Sequence, residues 1–113
     1  MGKLTTNKDD DFVEFVCDQL EHFEIVTYKA MFGGYGLYCG DVFFGIVFDE
    51  RLYFKTGAES QRKYESFESE PFQPNAKQTL KSYYDVPVEI LEDAAQLVEW
   101  AEEAYAVAST PSE

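Results

Sequence analysis

The middle of the chain consists of four short segments rich in β-branched and aromatic residues, separated by very short connections. These segments are EIVTYKAMF (24–32), YGLYC (35–39), VFFGIVF (42–48) and RLYFK (51–55). Residues of these types favour strands. Parallel strands need long crossover connections, so two-residue connections at Gly40-Asp41 and Asp49-Glu50 predict antiparallel hairpins. Because glycine comes first at Gly40-Asp41, that loop is predicted to form a type II′ turn.

Helices are predicted on both sides of these hairpins. Apolar residues at helical spacing follow three aspartates and predict a helix over residues 11–23, because aspartates favour a helix start. A second amphipathic segment (58–70) predicts a short helix with Tyr64 and Phe67 directed inward. Asp93, with Gln96 three residues later, predicts a capping-box variant at the start of a closing helix. Its buried stripe comprises Leu97, Val98, Trp100, Ala101, Ala104 and Tyr105.

The remaining segments complete the predicted order α-β-β-β-β-α-β-α. Residues 71–77 contain two prolines and are predicted to form a loop, and residues 78–86 form the last strand. This order predicts an α+β, two-layer domain with a mainly antiparallel sheet of about five strands. Helices are expected at both ends of the domain, with one between strands 4 and 5. At 113 residues, the chain is expected to form one domain (11–107), with a flexible arm (1–10) and tail (108–113).

The third strand is apolar on both faces, which is typical of a strand covered on both sides. Strict alternation places Val42, Phe44, Ile46 and Phe48 on one face. It places Phe43 and Val47 on the other.

The charge distribution excludes some classes of partner. The chain has 22 acidic and 9 basic residues, a net charge of −13, and no Lys or Arg after Lys81. DNA-binding surfaces need several clustered cations, so unaided DNA binding is disfavoured. Two cysteines, no secretory leader and no membrane-length apolar run predict a cytoplasmic protein without membrane contact.

The glycine-rich stretch Gly33-Gly34-Tyr35-Gly36 raises the question of phosphate binding. It lacks the Gly-Lys-Ser/Thr ending of a phosphate-binding loop and runs into a strand rather than a helix. We therefore interpret the glycines as structural. They permit a positive φ, a bulge and close packing within a bent hairpin.

No constellation of reactive residues is evident. Two cysteines and one histidine cannot supply the four ligands of a Cys/His zinc site. A catalytic pairing of His22 with Cys17 or Cys39 stays open, but inert buried thiols are commoner. The acidic pairs Glu102-Glu103 and Glu92-Asp93 are interpreted as solvated helix residues. We predict no catalytic residues, no cofactor, no metal and no enzymatic activity.

Aromatic residues on the predicted strands exceed what one small core can hold. If helices cover one face of the sheet, the other face carries a candidate protein-interaction face composed of Tyr38, Phe43, Tyr53, Lys55 and Tyr83. Tyr and Phe are common in interface cores. Such rings could also stack on single-stranded bases. In the alternative interpretation, residues 70–78 or a helix cover these rings.

Three stretches of the chain together resemble one known family. They are the octad Met31, Phe32, Gly33, Gly34, Tyr35, Gly36, Leu37 and Tyr38, the strand RLYFK at 51–55, and the run SYYDVP at 82–87. With the closing helix, they are similar to the TfoX/Sxy N-terminal domain family over about residues 12–106. The resemblance assigns the octad structural positions, not a catalytic or ligand site.

The resemblance implies a compact α+β fold and a role in natural competence. Full-length members of this family are transcriptional co-activators that work with the cyclic-AMP receptor protein at promoters of DNA-uptake genes. They continue into a C-terminal domain, so we expect this chain to be a stand-alone N-terminal domain.

These observations favour a non-enzymatic regulatory or adaptor domain that binds a protein, either a transcription factor or a second copy of itself. The alternative is a transcriptional co-regulator that binds nucleic acid directly. Its candidate phosphate contacts are Lys29, Arg51, Lys55, Lys77 and Lys81. A third class, small-ligand binding or an unrecognised enzyme, would require a deep pocket with a perturbed titratable group.

Overall fold

Six strands form one antiparallel sheet, accompanied by four helices, in residues 8–31 and 33–110, which this computed structural model describes. The elements are α1 (Lys8–Gln19), β1 (Thr27–Met31), β2 (Gly34–Cys39), β3 (Val42–Phe48), β4 (Arg51–Lys55), α2 (Ala58–Ser66), β5 (Pro71–Asn75), β6 (Gln78–Asp85), α3 (Val88–Leu91) and α4 (Ala94–Ser109). The predicted α+β class is therefore confirmed.

The sheet has the strand order β1-β2-β3-β4-β6-β5, and the first four strands are the predicted hairpins. Gly40 has a φ of 63°, the sign that the first position of a type II′ turn requires. Asp49 and Glu50 both have positive φ, 54° and 60°, which is the pattern of a type I′ turn. Both turn types match the natural twist of a hairpin.

The main core lies between one face of the sheet and helices α1 and α4. From α1 it contains Val13, Val16 and Leu20, and from α4 it contains Leu97, Trp100, Ala101 and Ala104. Phe44 and Phe54 meet them from the central strands, with ring centroids 5.8 Å apart. The stripe predicted for the closing helix is thus the face that packs on the sheet.

The segment predicted as a loop at 71–77 instead contains a strand, so the sheet has six strands rather than about five. Residues Pro71–Asn75 form β5, which pairs with β6 at one edge of the sheet. Pro71 and Pro74 fit there because an edge strand does not need every N–H for the sheet.

β3 contains a β-bulge that the sequence pattern did not predict. Tyr38 of β2 pairs with Phe43, and the preceding Leu37 pairs with Gly45, so Phe44 is an extra residue. A bulge of this kind interrupts the alternation of side chains between the two faces.

The bulge makes the predicted faces of β3 wrong beyond Phe44. Ile46 and Phe48 lie with Phe43 in a second hydrophobic cluster, on the face away from the main core. Val47 instead lies with Phe44 in the main core. A single inserted residue has the same effect as a one-residue register slip, which exchanges the two faces of a strand.

The domain begins earlier than the predicted arm (1–10) implied. Asp9 lies within α1 and is buried, and its carboxylate accepts hydrogen bonds from the backbone N–H groups of Asp49 (3.1 Å) and Glu50 (2.7 Å). This contact ties α1 to the β3–β4 turn. The first seven residues of the predicted arm lie outside the described residues.

Two further boundaries differ from prediction. α4 continues to Ser109, so the first two residues of the predicted tail (108–113) are helical, and residues 111–113 lie outside the described ranges. α2 ends at Ser66, and Phe67 is 40% exposed rather than inward. Across residues 8–31 and 33–110, no helix is both long enough and apolar enough to cross a lipid bilayer.

Candidate functional site

A continuous row of side chains crosses the face of the sheet opposite the helices. The Nζ atom of Lys29 lies 5.1 Å from the ring centroid of Tyr38, which stacks on Phe43 at 5.2 Å and 29°. Phe43 in turn lies 5.5 Å from the ring of Tyr83, and the Nζ atom of Lys55 lies 5.3 Å from that ring. We call these five residues the aromatic row.

Strand register brings the members of the aromatic row together. Tyr38 and Phe43 are direct cross-strand partners of β2 and β3, and Lys55 and Tyr83 are partners of β4 and β6. The bulge at Phe44 puts Ile46 and Phe48 on the same face as the Phe43 ring. The row therefore depends on strand pairings, of which that of Lys55 with Tyr83 joins residues 28 positions apart.

Part of the predicted interaction face is covered. Tyr53 and Tyr83 are only 9% and 8% exposed and belong to the second hydrophobic cluster with Ile46 and Phe72. The Phe72 ring of β5 lies 4.8 Å from the Tyr53 ring. The alternative interpretation, in which residues 70–78 cover the rings, therefore holds for Tyr53.

The uncovered part of the face lies toward β1. Tyr38, Phe43 and Lys55 are half-buried, and Lys29 is exposed. The stacked rings of Tyr38 and Phe43 are thus partly exposed beside the Lys29 ammonium group. The buried ring of Tyr83 packs against Phe43. This part of the row is the surface available to a partner.

Lys29 and Lys55 are the two basic residues of the row. Burial is the main cause that raises the pKa of the Tyr83 phenol to about 12, and it also raises the pKa of Tyr53. Lys55 donates a hydrogen bond to the Ser82 hydroxyl at 3.1 Å, which orients its ammonium group. A cation held over a ring face is attracted by the ring quadrupole.

The glycines of the octad shape the hairpin beside the row. Gly33 has a φ of 84°, and a Cβ atom at Gly34 would lie 2.1 Å from the carbonyl oxygen of Val47. A Cβ atom at Gly36 would lie 2.7 Å from the sulfur of Met31 and 2.9 Å from the Phe43 ring. The glycines therefore serve close packing, as the sequence predicted.

Two other members of the octad are structural as well. Leu37 is fully buried in the main core. The Tyr35 hydroxyl donates a hydrogen bond to the Asp10 carboxylate, and this bond is the main cause that raises the pKa of Tyr35 to about 12. Phe32 lies outside the described residues.

Cys17 and His22, one of the two pairs considered for nucleophilic catalysis, line different clefts. Cys17 lines a shallow cleft near Ile25, whereas His22 lines a separate groove between α1 and α4. Burial is the main cause that raises the pKa of both Cys17 and Cys39. Both thiols are therefore protonated at neutral pH and poor nucleophiles.

The two acidic pairs have structural contacts. Glu103 accepts a hydrogen bond from Lys63 at 2.7 Å, and that ammonium group also lies 4.2 Å from the Trp100 ring centroid. Asp93 caps α4 by accepting from the backbone N–H of Gln96 at 3.1 Å, which confirms the predicted cap. In the described part of the chain, no three residues that could ligate a metal ion cluster together.

Sequence reasoning missed the role of two residues at this site. Phe72 lies in the segment predicted as a loop, and its apolar ring between Pro71 and Pro74 was the available signal for a buried edge strand. Lys29 was considered only as a phosphate contact. Its position two residues before the octad gives no indication that its ammonium group lies over the ring of Tyr38 in the neighbouring strand.

Two comparisons identify the family of this fold. The family model of the TfoX N-terminal domain matches residues 18–108, a range that includes the octad and the aromatic row. The DNA transformation protein TfoX1 of Aliivibrio fischeri is 35% identical over 78 residues, which cover 67% of this chain and 37% of that relative. The chain thus matches little more than a third of the relative's length. The resemblance seen in the sequence is confirmed, and the chain belongs to the TfoX N-terminal domain family.

Proposed function

We propose that this chain is a non-enzymatic regulatory domain in the control of DNA transformation, acting in the cytoplasm by binding another protein through the aromatic row. Membership of the TfoX N-terminal domain family and similarity to a DNA transformation protein support a role in DNA transformation. The observation that carries the binding mode is the row itself, in which the stacked rings of Tyr38 and Phe43 are only half-buried.

The row has the physical features of a protein-binding surface. Stacked tyrosine and phenylalanine rings offer large contact area and lose little conformational entropy on binding. Tyr83 and the second hydrophobic cluster hold these rings in place before a partner arrives. Lys29 and Lys55 supply the polar rim that surrounds an apolar interface centre. The partner is a transcription factor or a second copy of the chain.

Replacing the two half-buried rings tests this proposal. The double variant Tyr38→Ser/Phe43→Ser should lower transformation frequency in the host and abolish partner binding. The matched control is Tyr28→Ser, which removes a 40% exposed tyrosine that instead contacts Tyr35. Thermal unfolding of both variants monitors the fold, and Lys29→Glu provides a second variant that leaves the rings intact.

The results expected for binding through the aromatic row differ from those expected without it. Loss of transformation in the double variant and in Lys29→Glu, with normal activity of Tyr28→Ser, supports the proposal. Normal transformation and unchanged partner binding in the folded double variant would contradict it. Sedimentation of the purified chain over a range of concentrations tells whether a second copy is the partner.

A second candidate function is direct binding of single-stranded nucleic acid. It is favoured by one observation, the lysine at each end of a stacked series of rings, because single-strand binding sites combine base stacking with cations along the backbone. The net charge of −13 opposes it. Removing Lys29 and Lys55 should reduce the slope of log affinity against log salt by about 1.4 in magnitude.

Fluorescence polarisation with a labelled single-stranded oligonucleotide measures this slope. Arg62→Ala is the control for each single lysine variant, because it removes one positive charge from an exposed position that is neither in the row nor among the candidate phosphate contacts. Absence of binding to single or double strands at low salt would rule out this second function.

A further inference from the structure

A groove lies on the opposite side of the molecule from the aromatic row, between the end of α1 and the first half of α4. It encloses about 540 Å³ and is lined on the α1 side by Gln19 and His22. The Gln19 side-chain amide donates to the backbone carbonyl of Leu91 at 2.9 Å. This bond joins the end of α1 to α3, the helix that directly precedes α4.

The α4 side of the groove is apolar at its floor. Ala94 and Ala95 are exposed and Val98 is half-buried. Small side chains on a helix surface leave room for a neighbouring element to approach closely. The lining from Ala94 to Glu102 extends about 12 Å along the helix axis, slightly more than two turns.

The rim of the groove is negatively charged. Glu99 and Glu102 line it, and within the described residues neither forms an ion pair. No Lys or Arg occurs from Asp85 to the end of the chain. The only ammonium group bonded to α4 in the described ranges is that of Lys63, which is paired with Glu103.

We propose that this groove binds a positively charged amphipathic helix of a partner protein. Its apolar residues would pack on Ala94, Ala95 and Val98, and its Lys or Arg side chains would pair with Glu99 and Glu102. Binding of an amphipathic helix in an apolar groove is a recurrent mode of recognition. Opposite charges at the rim accelerate association and select the partner.

The negative charge of the groove rim favours a cationic helix over a helix from a second copy of this chain. A second copy of this chain would bring another net charge of −13. Its α1 carries Asp9, Asp10, Asp11, Glu14 and Asp18, and its α4 lacks cations entirely. These helices would repel the rim. A cationic helix is attracted by it.

A synthetic probe tests the proposal on the full chain. The probe is a labelled helical peptide of Leu and Lys only, with Leu at helical spacing, and binding is followed by fluorescence anisotropy. A peptide of the same composition in scrambled order is the comparison. We expect the ordered peptide to bind at least tenfold more tightly, because only it presents one apolar face.

Three variants locate the binding site. Ala95→Trp fills the groove and should abolish binding. Glu99→Gln/Glu102→Gln should weaken it about fivefold to tenfold at low salt, since each exposed ion pair contributes little. Asp41→Asn/Glu59→Gln makes the same change of net charge elsewhere and should leave affinity within about twofold. Circular dichroism checks that each variant is folded.

The same experiment can overturn the proposal. Equal binding of ordered and scrambled peptides, or equal effects of the two charge variants, would show attraction by net charge alone. Self-association of the chain that Ala95→Trp abolishes would assign the groove to a second copy instead. Tyr38→Ser/Phe43→Ser should bind the peptide normally, so the groove and the aromatic row are tested separately.

Discussion

Individual glycines and hydroxyl groups in this domain differ greatly in their contribution to the stability of the fold, even where their sequence context is similar. Gly34 and Gly40 both lie at the ends of β2. Gly34 packs against the backbone of β3, whereas a side chain at Gly40 would meet no atom within 4 Å. The Gly34 position of the octad therefore serves close packing between β2 and β3.

Substituting these two glycines should give very different results. Gly34→Ala places a Cβ atom 2.1 Å from the Val47 carbonyl oxygen, so one strand must move, and we expect a loss of more than about 3 kcal/mol. Gly40→Ala adds only the strain of a positive φ, about 1 kcal/mol. Urea unfolding measures both. Equal losses would contradict this account of the octad.

The Tyr64 hydroxyl is a second residue-scale feature. Tyr64 is buried against the Trp100 ring at 4.7 Å, and in the described residues its hydroxyl has no hydrogen-bond partner. Burial is the main cause that raises its pKa. An unpaired buried polar group lowers stability.

Tyr64→Phe should therefore increase the free energy of unfolding by about 1 kcal/mol, because it removes the unpaired hydroxyl and keeps the ring. Tyr84→Phe is the control, since the Tyr84 hydroxyl donates to the Glu65 carboxylate at 3.3 Å. That substitution should not stabilise the domain. A loss of stability in Tyr64→Phe would indicate that its hydroxyl is bonded in solution.

At the scale of elements, β3 and β5 decide which surface is available to a partner. The bulge at Phe44 places Phe43, Ile46 and Phe48 on one face of the sheet and Phe44 and Val47 on the other. β5 then covers part of that cluster with Phe72, so the face opposite the helices is only partly open.

Removing the Phe72 ring tests the covering role of β5. Phe72→Ala should lower the free energy of unfolding by about 3–5 kcal/mol, the usual cost of deleting a fully buried phenylalanine ring. It should also expose Tyr53, which solvent quenching of tyrosine fluorescence detects. Phe15→Ala, at a 40% exposed position, is the control and should cost much less. Equal costs would show that β5 is not packed.

At the scale of the whole molecule, the two faces of the sheet have opposite character. The α1 and α4 side is acidic, and the other face carries lysines above neutral rings. A tyrosine with a raised pKa lies on each side, Tyr35 bonded to Asp10 and Tyr83 in the second cluster. Deprotonation of these two phenols at alkaline pH therefore lowers the free energy of unfolding through contacts on both faces of the sheet.

The sign of this effect follows from the shifts. A phenol whose pKa is about 12 when folded and about 10 when unfolded contributes stability that is fully present below pH 10. That contribution falls as pH rises from 10 through 12. Urea unfolding across this range should show the decline, and Tyr35→Phe should make it shallower. Tyr105→Phe on α4, whose ring contacts Phe23 instead, is the control, and an equal change in both variants would contradict the assignment.

The sequence by itself determined the local features of this protein. Helical spacing identified α1 and α4, two-residue connections identified the hairpins of β1 to β4, and the Asp93 cap followed from residues three positions apart. The octad identified the family. Each of these signals lies within a few neighbouring residues, where backbone geometry restricts the alternatives.

Only the tertiary structure decided the surface that the domain presents. The bulge at Phe44 is visible only from its pairing with β2, and the role of Asp9 only from its contact with a turn 40 residues away. The cover provided by Phe72 likewise requires β5 to pair with β6. The bulge depends on the register between neighbouring strands, and the contacts of Asp9 and Phe72 join parts of the chain that are distant in sequence, neither of which local residue patterns encode.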